Sequence, residues 1–504
     1  MSLYTPTDVS LLVDNWKDIM ADVEKQRLKV LEPTAEEMVE VKNIICDFIK
    51  SKRRKIYGGF ALNLLVTEQD PKDAIYKKDQ IPPPDVDFYS PRPIQDLMEL
   101  CNILHEKGYK YVKGREAMHQ ETYTIFVNYA MYCDISYVPK NIYDKMPFRE
   151  IEGFTVIHPQ FMTIDYLRMM TDPLISYWRF ENDLKSFKRF YLLQKHFGFP
   201  KSKAPIEVGD STPILDTLLN TIFKFVVDKK SLLMTGFYAY NYFLNESGIL
   251  LDKSRSKYFK LLSIPYFEMI STNYREDCLN LIDSLKMAIV IDKKLLTHEE
   301  HYPFFQFTDH SVEIFFGEDL IAKIYNHNHK CIPYHVVPAI DLTNGTVKPI
   351  KGSSIRLAIF PTALLYSIIS IMRARVNGDK DTQNLYYTFT SHLIEMRNYY
   401  LDKNKKTILD KTLFREFVAE CMGETIQPDR QRAMIIESRK KNNKRFVFNY
   451  EPSEGVKEPE STYVFANTSG NTIVNPKNLR LAPQMKEENI EGDFDDESSE
   501  DKVD

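Results

Sequence analysis

The chain repeats itself once, and that restricts its fold more than any other feature. Residues 55–65 (KIYGGFALNLL) are echoed near 231 by SLLMTGFYAYNYFLNESG, and PPDVDFYSPRPIQDLMELCNIL is echoed by IPYFEMISTNYREDCLNLIDSL. VEIFFGEDLIAKIY then stands where YTIFVNYAMYCDISY stood, and LAIFPTALLYSIISIM matches FTVIHPQFMTIDYLRMM with Pro361 opposite Pro159. Four segments recurring in one order after roughly 200 residues exceed the period of a solenoid. They predict a duplicated domain, and 504 residues leave room for two large copies. The boundaries read as 1–195 and 196–450, with an extension over 451–484 and a tail over 485–504.

Local patterning fills in the class. Thr34 and Glu37 form a capping-box pair. Met38, Val41, Ile44, Ile45, Phe48 and Ile49 share one face at the helical period, so 34–55 reads as a helix. A second helix is expected to open at Gly58-Gly59. The polar, proline-bearing stretch 68–84 reads as a loop. DVDFYS reads as an alternating strand, 94–107 as a helix, and 109–113, 121–128 and 131–138 as strands. Helical patterning resumes near 157. Helices flanking a mixed sheet predict the α/β (α+β) class.

Composition narrows the setting. At 43% hydrophobic and 27% charged, the balance is that of an ordinary globular chain. The most apolar run, Leu357 to Met372, is broken by Pro361, Ser367 and Ser370 and falls short of the ~20 residues of a membrane span, so a buried helix is expected. The first residues lack a basic-then-apolar leader, so no secretory signal is expected. Cysteines at 46, 101, 133, 278, 331 and 421 form no C-x-x-C pair, which predicts free thiols in a reducing compartment. The net charge of −5 is uneven. Lys486–Asp504 holds ten acidic and two basic residues, a net of −8 that leaves +3 on the remainder. The tail is expected to be disordered, and a mildly basic body permits a nucleic-acid partner.

Asp85 and Asp87 stand two apart in a strand-like run, so both carboxylates face one way, ~7 Å apart along the strand. Like charges held that close call for a compensating cation, and oxygen-only ligands favour Mg²⁺ or Mn²⁺. Asp134, apolar-flanked in MYCDISYV, is the expected third acid, because a buried aspartate is costly unless paired or metal-bound. Gly58 and Gly59, opening a helix, leave backbone amides free and let a phosphate approach closely. Alone, D-x-D and a glycine pair are each common in turns and surface strands.

In combination, a hydrophobic-Gly-Gly, a strand D-x-D and a strand Asp about 50 residues on resemble the nucleotidyltransferase superfamily, which shares a polymerase-β-like palm. The loop-stretched spacing from glycines to first aspartate, the two-domain layout and the length are similar to the poly(A) polymerase catalytic subunits of poxviruses and other large cytoplasmic DNA viruses, above all giant-virus members. The likeness spans most of 35–480 and is specific at 57–65, 85–90 and 131–138. It implies a palm present as an active and a degenerate copy, and template-independent addition of AMP from ATP to RNA 3′ ends. It further implies two Mg²⁺ or Mn²⁺ ions ~4 Å apart, held by Asp85, Asp87 and Asp134, with Gly58 and Gly59 cradling the triphosphate. A cytoplasmic place, in the viral factory or virion, follows from the same likeness, and a homo-oligomer or processivity partner is a further candidate. Other terminal transfer (uridylation or tRNA-end addition) and a non-catalytic RNA-binding scaffold are the alternatives.

Basic residues supply candidate phosphate contacts. Arg179, Lys185, Lys188 and Arg189 occupy a helical stretch, with Lys185, Lys188 and Arg189 on one face suited to ATP phosphates or RNA. The same face also suits plain solvation beside Glu181 and Asp183. Lys52–Lys55 could meet the same phosphates, or merely favour a helix C-terminus. Arg439, Lys440, Lys441, Lys444 and Arg445 precede Phe446, Phe448 and Tyr450, a mixture of cations and rings that suits single-stranded RNA. The NHNHKC run at 326–331 lacks a fourth ligand and is not read as a metal site; His158 is read as structural.

Laid over the first copy, the second puts Tyr266 at Asp85, Glu268 at Asp87, Lys323 at Asp134, Thr235 at Gly58 and Gly236 at Gly59. One carboxylate beside a lysine does not hold two divalent cations. The second copy is therefore expected to be catalytically inactive.

Overall fold

In the computed structural model the described residues are 3–454 and 473–474, apart from 78–79, 118–120, 173, 175–179, 210, 290–292, 329, 425 and 442–447. The acidic tail and most of the 451–484 extension lie outside them. The chain forms two compact units. The first holds Met1–Val138 and Phe148–Ile157 with the strand Asn449–Tyr450, and the second holds Pro139–Pro147 and the main run from His158 onward.

In the first unit the strands are β1 (Lys55–Tyr57), β2 (Asp87–Ser90), β3 (Lys113–Glu116), β4 (Thr122–Val127), β5 (Ala130–Tyr137), β6 (Phe148–Ile151) and β7 (Phe154–Ile157). The second unit carries β8 (Leu232–Thr235), β9 (Phe267–Ser271), β10 (Leu296–His301), β11 (Ser311–Phe316), β12 (Asp319–Asn326), β13 (Ile332–Asp341) and β14 (Lys348–Ala358). Short strands β15 (Cys421–Met422), β16 (Asn449–Tyr450) and β17 (Ile473–Val474) add edges. The first sheet runs β16-β3-β4-β5-β2-β1-β7-β6, and the second runs β15-β13-β14-β8-β9-β12-β11-β10-β17. Read from β3 and from β10, seven strands occur in the same order. Their directions match as well: β1 and β8 each pair antiparallel with the next strand, and β2–β5 and β9–β12 are parallel. The duplication is therefore physical.

Helices repeat alongside. Ala35–Ser51, Gly58–Gln69 and Pro93–Glu106 correspond in order to Pro213–Val226, Gly236–Ser247 and Tyr274–Ala288. Thr34 caps the first of these by accepting from the Glu37 amide, a contact worth ~1 kcal/mol. Its buried face is Met38, Val41, Ile45, Phe48 and Ile49, the predicted stripe without Ile44. Pro159–Thr171 and Phe180–Phe197 in turn match Phe360–Asn377 and Lys380–Lys403.

That last match separates chain order from packing. The repeat ends near 197, close to the expected boundary at 195, yet the compact units part at Val138. Contacts within the second unit explain this. Phe161 lies 4.8 Å from the ring of Phe307, and Tyr387 donates a 2.6 Å hydrogen bond to Gln160. Apolar burial, not sequence order, decides which body a helix joins.

Three further departures concern elements. A helix at Pro6–Val30, boxed at Thr5 and Asp8, has no counterpart in the expected elements, and only Leu28 of it is buried. The β6–β7 hairpin was likewise unexpected; it turns on Glu152 and Gly153, both at positive φ. Cys331 and Cys421 are joined as a disulfide between β13 and β15, contrary to the expectation of six free thiols. Spacing of 90 residues hides such a pair, because antiparallel strands bring the two together only in the folded sheet. The apolar run near 360 forms the buried helix expected of it, and no helix among the described residues is long and apolar enough to cross a membrane.

Candidate active site

Asp87 opens β2, with Val86 and Phe88 buried on either side of it. Asp85 lies just before the strand, but the Val86 amide still bonds the Tyr132 carbonyl, so extended pairing carries through. Asp85 and Asp87 accordingly fall on the same, outward side, as the alternation predicts. Across the parallel β2–β5 pair, the Asp134 amide donates to Asp87 Oδ1 at 3.1 Å. Thr124 on β4 donates to Asp134 Oδ1 at 2.5 Å.

Two groups feel the charges of these acids. Burial pushes the Cys133 thiol well above its usual range, and Asp87, Asp134 and Asp85 push it further. Burial raises the Asp134 carboxyl above the usual range, Thr124 opposes, and the Asp85 charge adds to the rise. Among the described residues, however, no three acidic, histidine or cysteine side chains already stand as a closed metal-holding cluster. The donor set itself fits a hard divalent cation, being carboxylate oxygen throughout.

Because the folded protein holds the Asp134 proton more tightly than the unfolded chain does, the stability this gives is complete at low pH. It is lost as pH rises through the raised folded value. Asp134→Asn is therefore expected to raise the unfolding midpoint of metal-free protein by ~1–3 °C at neutral pH, with the gain vanishing near pH 4. Thermal denaturation in a chelator at the two pH values checks this; an unchanged or lowered midpoint at neutral pH counts against it.

Gly58 terminates β1 and begins the Gly58–Gln69 helix at φ +74°, where a Cβ would stand 2.8 Å from Asp87 Oδ2. Both the left-handed backbone and the close approach require glycine. Gly59 sits inside the helix without positive φ. Gly58→Ala is expected to cut activity about 100-fold, by moving Asp87, and to cost ~1–3 kcal/mol of stability. Gly59→Ala should cost far less stability, and equal losses for the two variants would refute the assignment of strain to Gly58.

Other expected site residues fare unevenly. Lys185 and Lys188 are exposed on the Phe180–Phe197 helix of the second unit, whereas the acids belong to the first; Arg179 is outside the described residues. Lys52, Arg53 and Arg54 pair with Glu99, Glu150 and Asp96, so this cluster is tied into the first unit. Lys440 and Lys441 are exposed at the end of the Pro428–Lys441 helix, whose backbone also carries Arg439; Lys444 and Arg445 lie outside the described residues. Phe448 and Tyr450 are not open to stack on bases. Phe448 is buried edge-on to Tyr123, and Tyr450 is buried with its hydroxyl bonded to Asn102. His158 caps the Pro159–Thr171 helix, and burial of the ring of the partly exposed His327 lowers its pKa to about 3 and keeps it neutral.

Comparison with known proteins follows the geometry. Residues 43–176 match the family model described as "Poly(A) polymerase catalytic subunit", and residues 219–482 match "APMV, Putative poly(A) polymerase, catalytic subunit, C-terminal". The chain belongs to the poly(A) polymerase catalytic subunit family. It is 35% identical over 499 residues to the "Putative poly(A) polymerase catalytic subunit" of Acanthamoeba polyphaga mimivirus, covering 94% of this chain and 84% of that one. A protein of the same description from African swine fever virus is 29% identical over 187 residues, 36% of this chain and 38% of that one. The crystal structure of the Megavirus polyadenylate synthase aligns with a TM-score of 0.82 at 33% identity, covering 95% of this chain and 94% of that one. The fold is that of a nucleotidyltransferase.

Within this poly(A) polymerase family member, strand register places the second copy residue by residue. Tyr57 pairs with Asp87 and Thr235 with Glu268, so Gly58 corresponds to Gly236 and Tyr57 to Thr235. The expected match was one residue off. A Cβ on Gly236 would meet Glu268 just as one on Gly58 meets Asp87. Thr124 opposes Asp134 and Glu313 opposes Lys323, which confirms Lys323 at the Asp134 position. Glu268 is buried under hydroxyls of Tyr386 (2.7 Å) and Tyr325 (3.4 Å), and Lys323 pairs with Glu313. Burial alone would raise Glu313, but Lys323 and His301 beside it hold it well below the usual range. The pocket is filled by its own ammonium and rings.

Some site residues carried no obvious label in the sequence. Thr124 was not legible: the two-residue turn at Asn128-Tyr129, both at positive φ, would by itself set Thr124 against Cys133, and an irregularity between Ile125 and Phe126 shifts the register so that Thr124 meets Asp134. Tyr57, whose hydroxyl bonds Ser136 at 2.8 Å and whose ring stacks on Tyr89, had no marker either.

Proposed function

We infer that the chain adds AMP from ATP to RNA 3′ ends without a template, using Asp85, Asp87 and Asp134 as its acidic centre. The observation that carries this reading is the Gly58–Asp87–Asp134 junction, where strand end, helix start and two carboxylates meet. The 3′ hydroxyl oxygen forms a bond to the α-phosphorus, the bond from that phosphorus to the bridging oxygen breaks, and pyrophosphate leaves. Asp134, whose proton affinity burial raises, would help activate that hydroxyl by taking its proton. Amides at the start of the Gly58–Gln69 helix favour the phosphate charge. Asp85, Asp87 and Asp134 would hold Mg²⁺ or Mn²⁺, two ions by family likeness, which when bound neutralise charge on the reacting phosphate. Positioning and charge neutralisation carry most of such a reaction.

In this reading the second copy is inactive, because Lys323 and the tyrosines around Glu268 leave no place for a divalent cation. Arg439, Lys440, Lys441, Lys444 and Arg445 are proposed for RNA, and Arg179, Lys185 and Lys188 for ATP phosphates. A cytoplasmic site of action rests on the viral relatives. The test is a short labelled RNA incubated with Mg²⁺ or Mn²⁺ and each nucleoside triphosphate separately. Extension with ATP alone supports the reading; extension with another nucleotide only, or none at all, overturns it.

A further inference from the structure

Lys42 is a charge without a carboxylate in contact. It lies mid-way along the Ala35–Ser51 helix, and its ammonium stands 4.6 Å from the centre of the Phe60 ring. Phe60 belongs to the first turn of the helix that Gly58 opens. Among the described residues the ammonium makes no hydrogen bond or ion pair, and the charges it feels are those of Cys46 and Asp85. A cavity of about 50 Å³ opens between Lys42, Pro84, Asp85 and Tyr132. A half-buried ammonium thus stands over a ring from the first turn of the Gly58–Gln69 helix and shares a cavity with Asp85, one of the three acids. The second copy lacks the arrangement. There the position of Phe60 is taken by Tyr238, fully buried with its hydroxyl donating to the Ile340 carbonyl, and Pro213–Val226 has a lysine only in its last turn, Lys224.

We propose that Lys42 binds the β- and γ-phosphates of ATP and retains its hold on the leaving pyrophosphate. The inference rests on the nucleotidyltransfer reading above and extends it to a residue on a different element from the acids and glycines. Cation–ring contact keeps the long side chain from collapsing onto Asp85, so the ammonium remains available to an incoming anion. Burial lowers its proton affinity, and an arriving polyphosphate favours the charged form.

The experiment uses the full chain with short RNA, ATP and Mg²⁺, together with calorimetric titration of magnesium pyrophosphate. Lys42→Met is expected to raise the KM for ATP and weaken pyrophosphate binding by roughly ten-fold or more, with the KM for RNA within about two-fold of wild type. Lys42→Arg should recover most of both, and Lys42→Gln guards against a packing defect in the methionine variant. A residue that only supported packing would change RNA and ATP kinetics together and leave pyrophosphate binding unmoved; that outcome, or unchanged constants for ATP and pyrophosphate, overturns the proposal. If wild type itself fails to extend RNA, the underlying reading fails instead, which the unsubstituted control identifies.

Discussion

Asp87→Ala is expected to lower RNA extension by about 10³-fold or more while RNA binding stays within about two-fold of wild type. The reason lies in position. Asp87 accepts from the Asp134 amide and lies so near Gly58 that a Cβ there would meet its carboxylate, so its charge sits at the proposed meeting of phosphate and acids. Alanine also removes the bond to that amide, which muddles charge with structure. Asp87→Asn separates them, since the side-chain carbonyl still accepts from the amide while the negative charge is gone. Both variants should be equally inactive. Primer extension with fluorescence anisotropy for RNA binding measures the two quantities, and an asparagine variant keeping more than about a tenth of wild-type activity would remove Asp87 from its role. The matching substitution in the second copy, Glu268→Gln, should leave extension near wild type if that copy is inactive.

The largest loss of stability is expected from Asp96→Ala, at about 3–5 kcal/mol. Arg54 donates twice to Asp96, at 2.7 Å each, and both side chains are buried. Ser90 donates to the same carboxylate and itself accepts from the Arg92 amide, so one aspartate ties β2, the helix it leads into and the start of β1. Removing it takes the carboxylate away from a guanidinium in a dry interior. The duplication supplies an internal control. Asp277 occupies the same place in the second unit, with Ser271 and Ser231 hydroxyls at 2.7 and 2.9 Å. Its cation, Lys229, is 30% exposed where Arg54 is 10%. Water can take over Lys229, so Asp277→Ala should cost distinctly less, about 1–3 kcal/mol. Denaturation of both variants measures the difference. Equal losses would mean that desolvation of the cation is not what sets the cost.

The alternation was readable before any coordinates: Val86 and Phe88 flank Asp87, Cys133 and Ile135 flank Asp134, and those apolar neighbours are buried while both acids are partly exposed. The copy relationship was readable as well, but not its register. In the echo between KIYGGF and LLMTGF, the single glycine of the later segment can be set against either glycine of the earlier one. Only the ladders joining Tyr57 to Asp87 and Thr235 to Glu268, with positive φ at Gly58 and Gly236, select the match. Rings at Phe448 and Tyr450 were misread for the converse reason: an aromatic beside lysines looks available until a sheet edge closes over it.

What the amino-acid order determined on its own is therefore the local chemistry: alternating strands, capped amphipathic helices, a doubled plan, and acids alternating with buried apolar residues. These depend on neighbours within a few positions, where covalent geometry and side-chain periodicity act directly. The tertiary structure decided which helices join which compact unit, that Cys331 meets Cys421, that Lys323 pairs with Glu313, and that Lys42 stands over the Phe60 ring. Each of those depends on burial and charge summed over residues far apart in the chain, and such sums exist only once the sheets have closed.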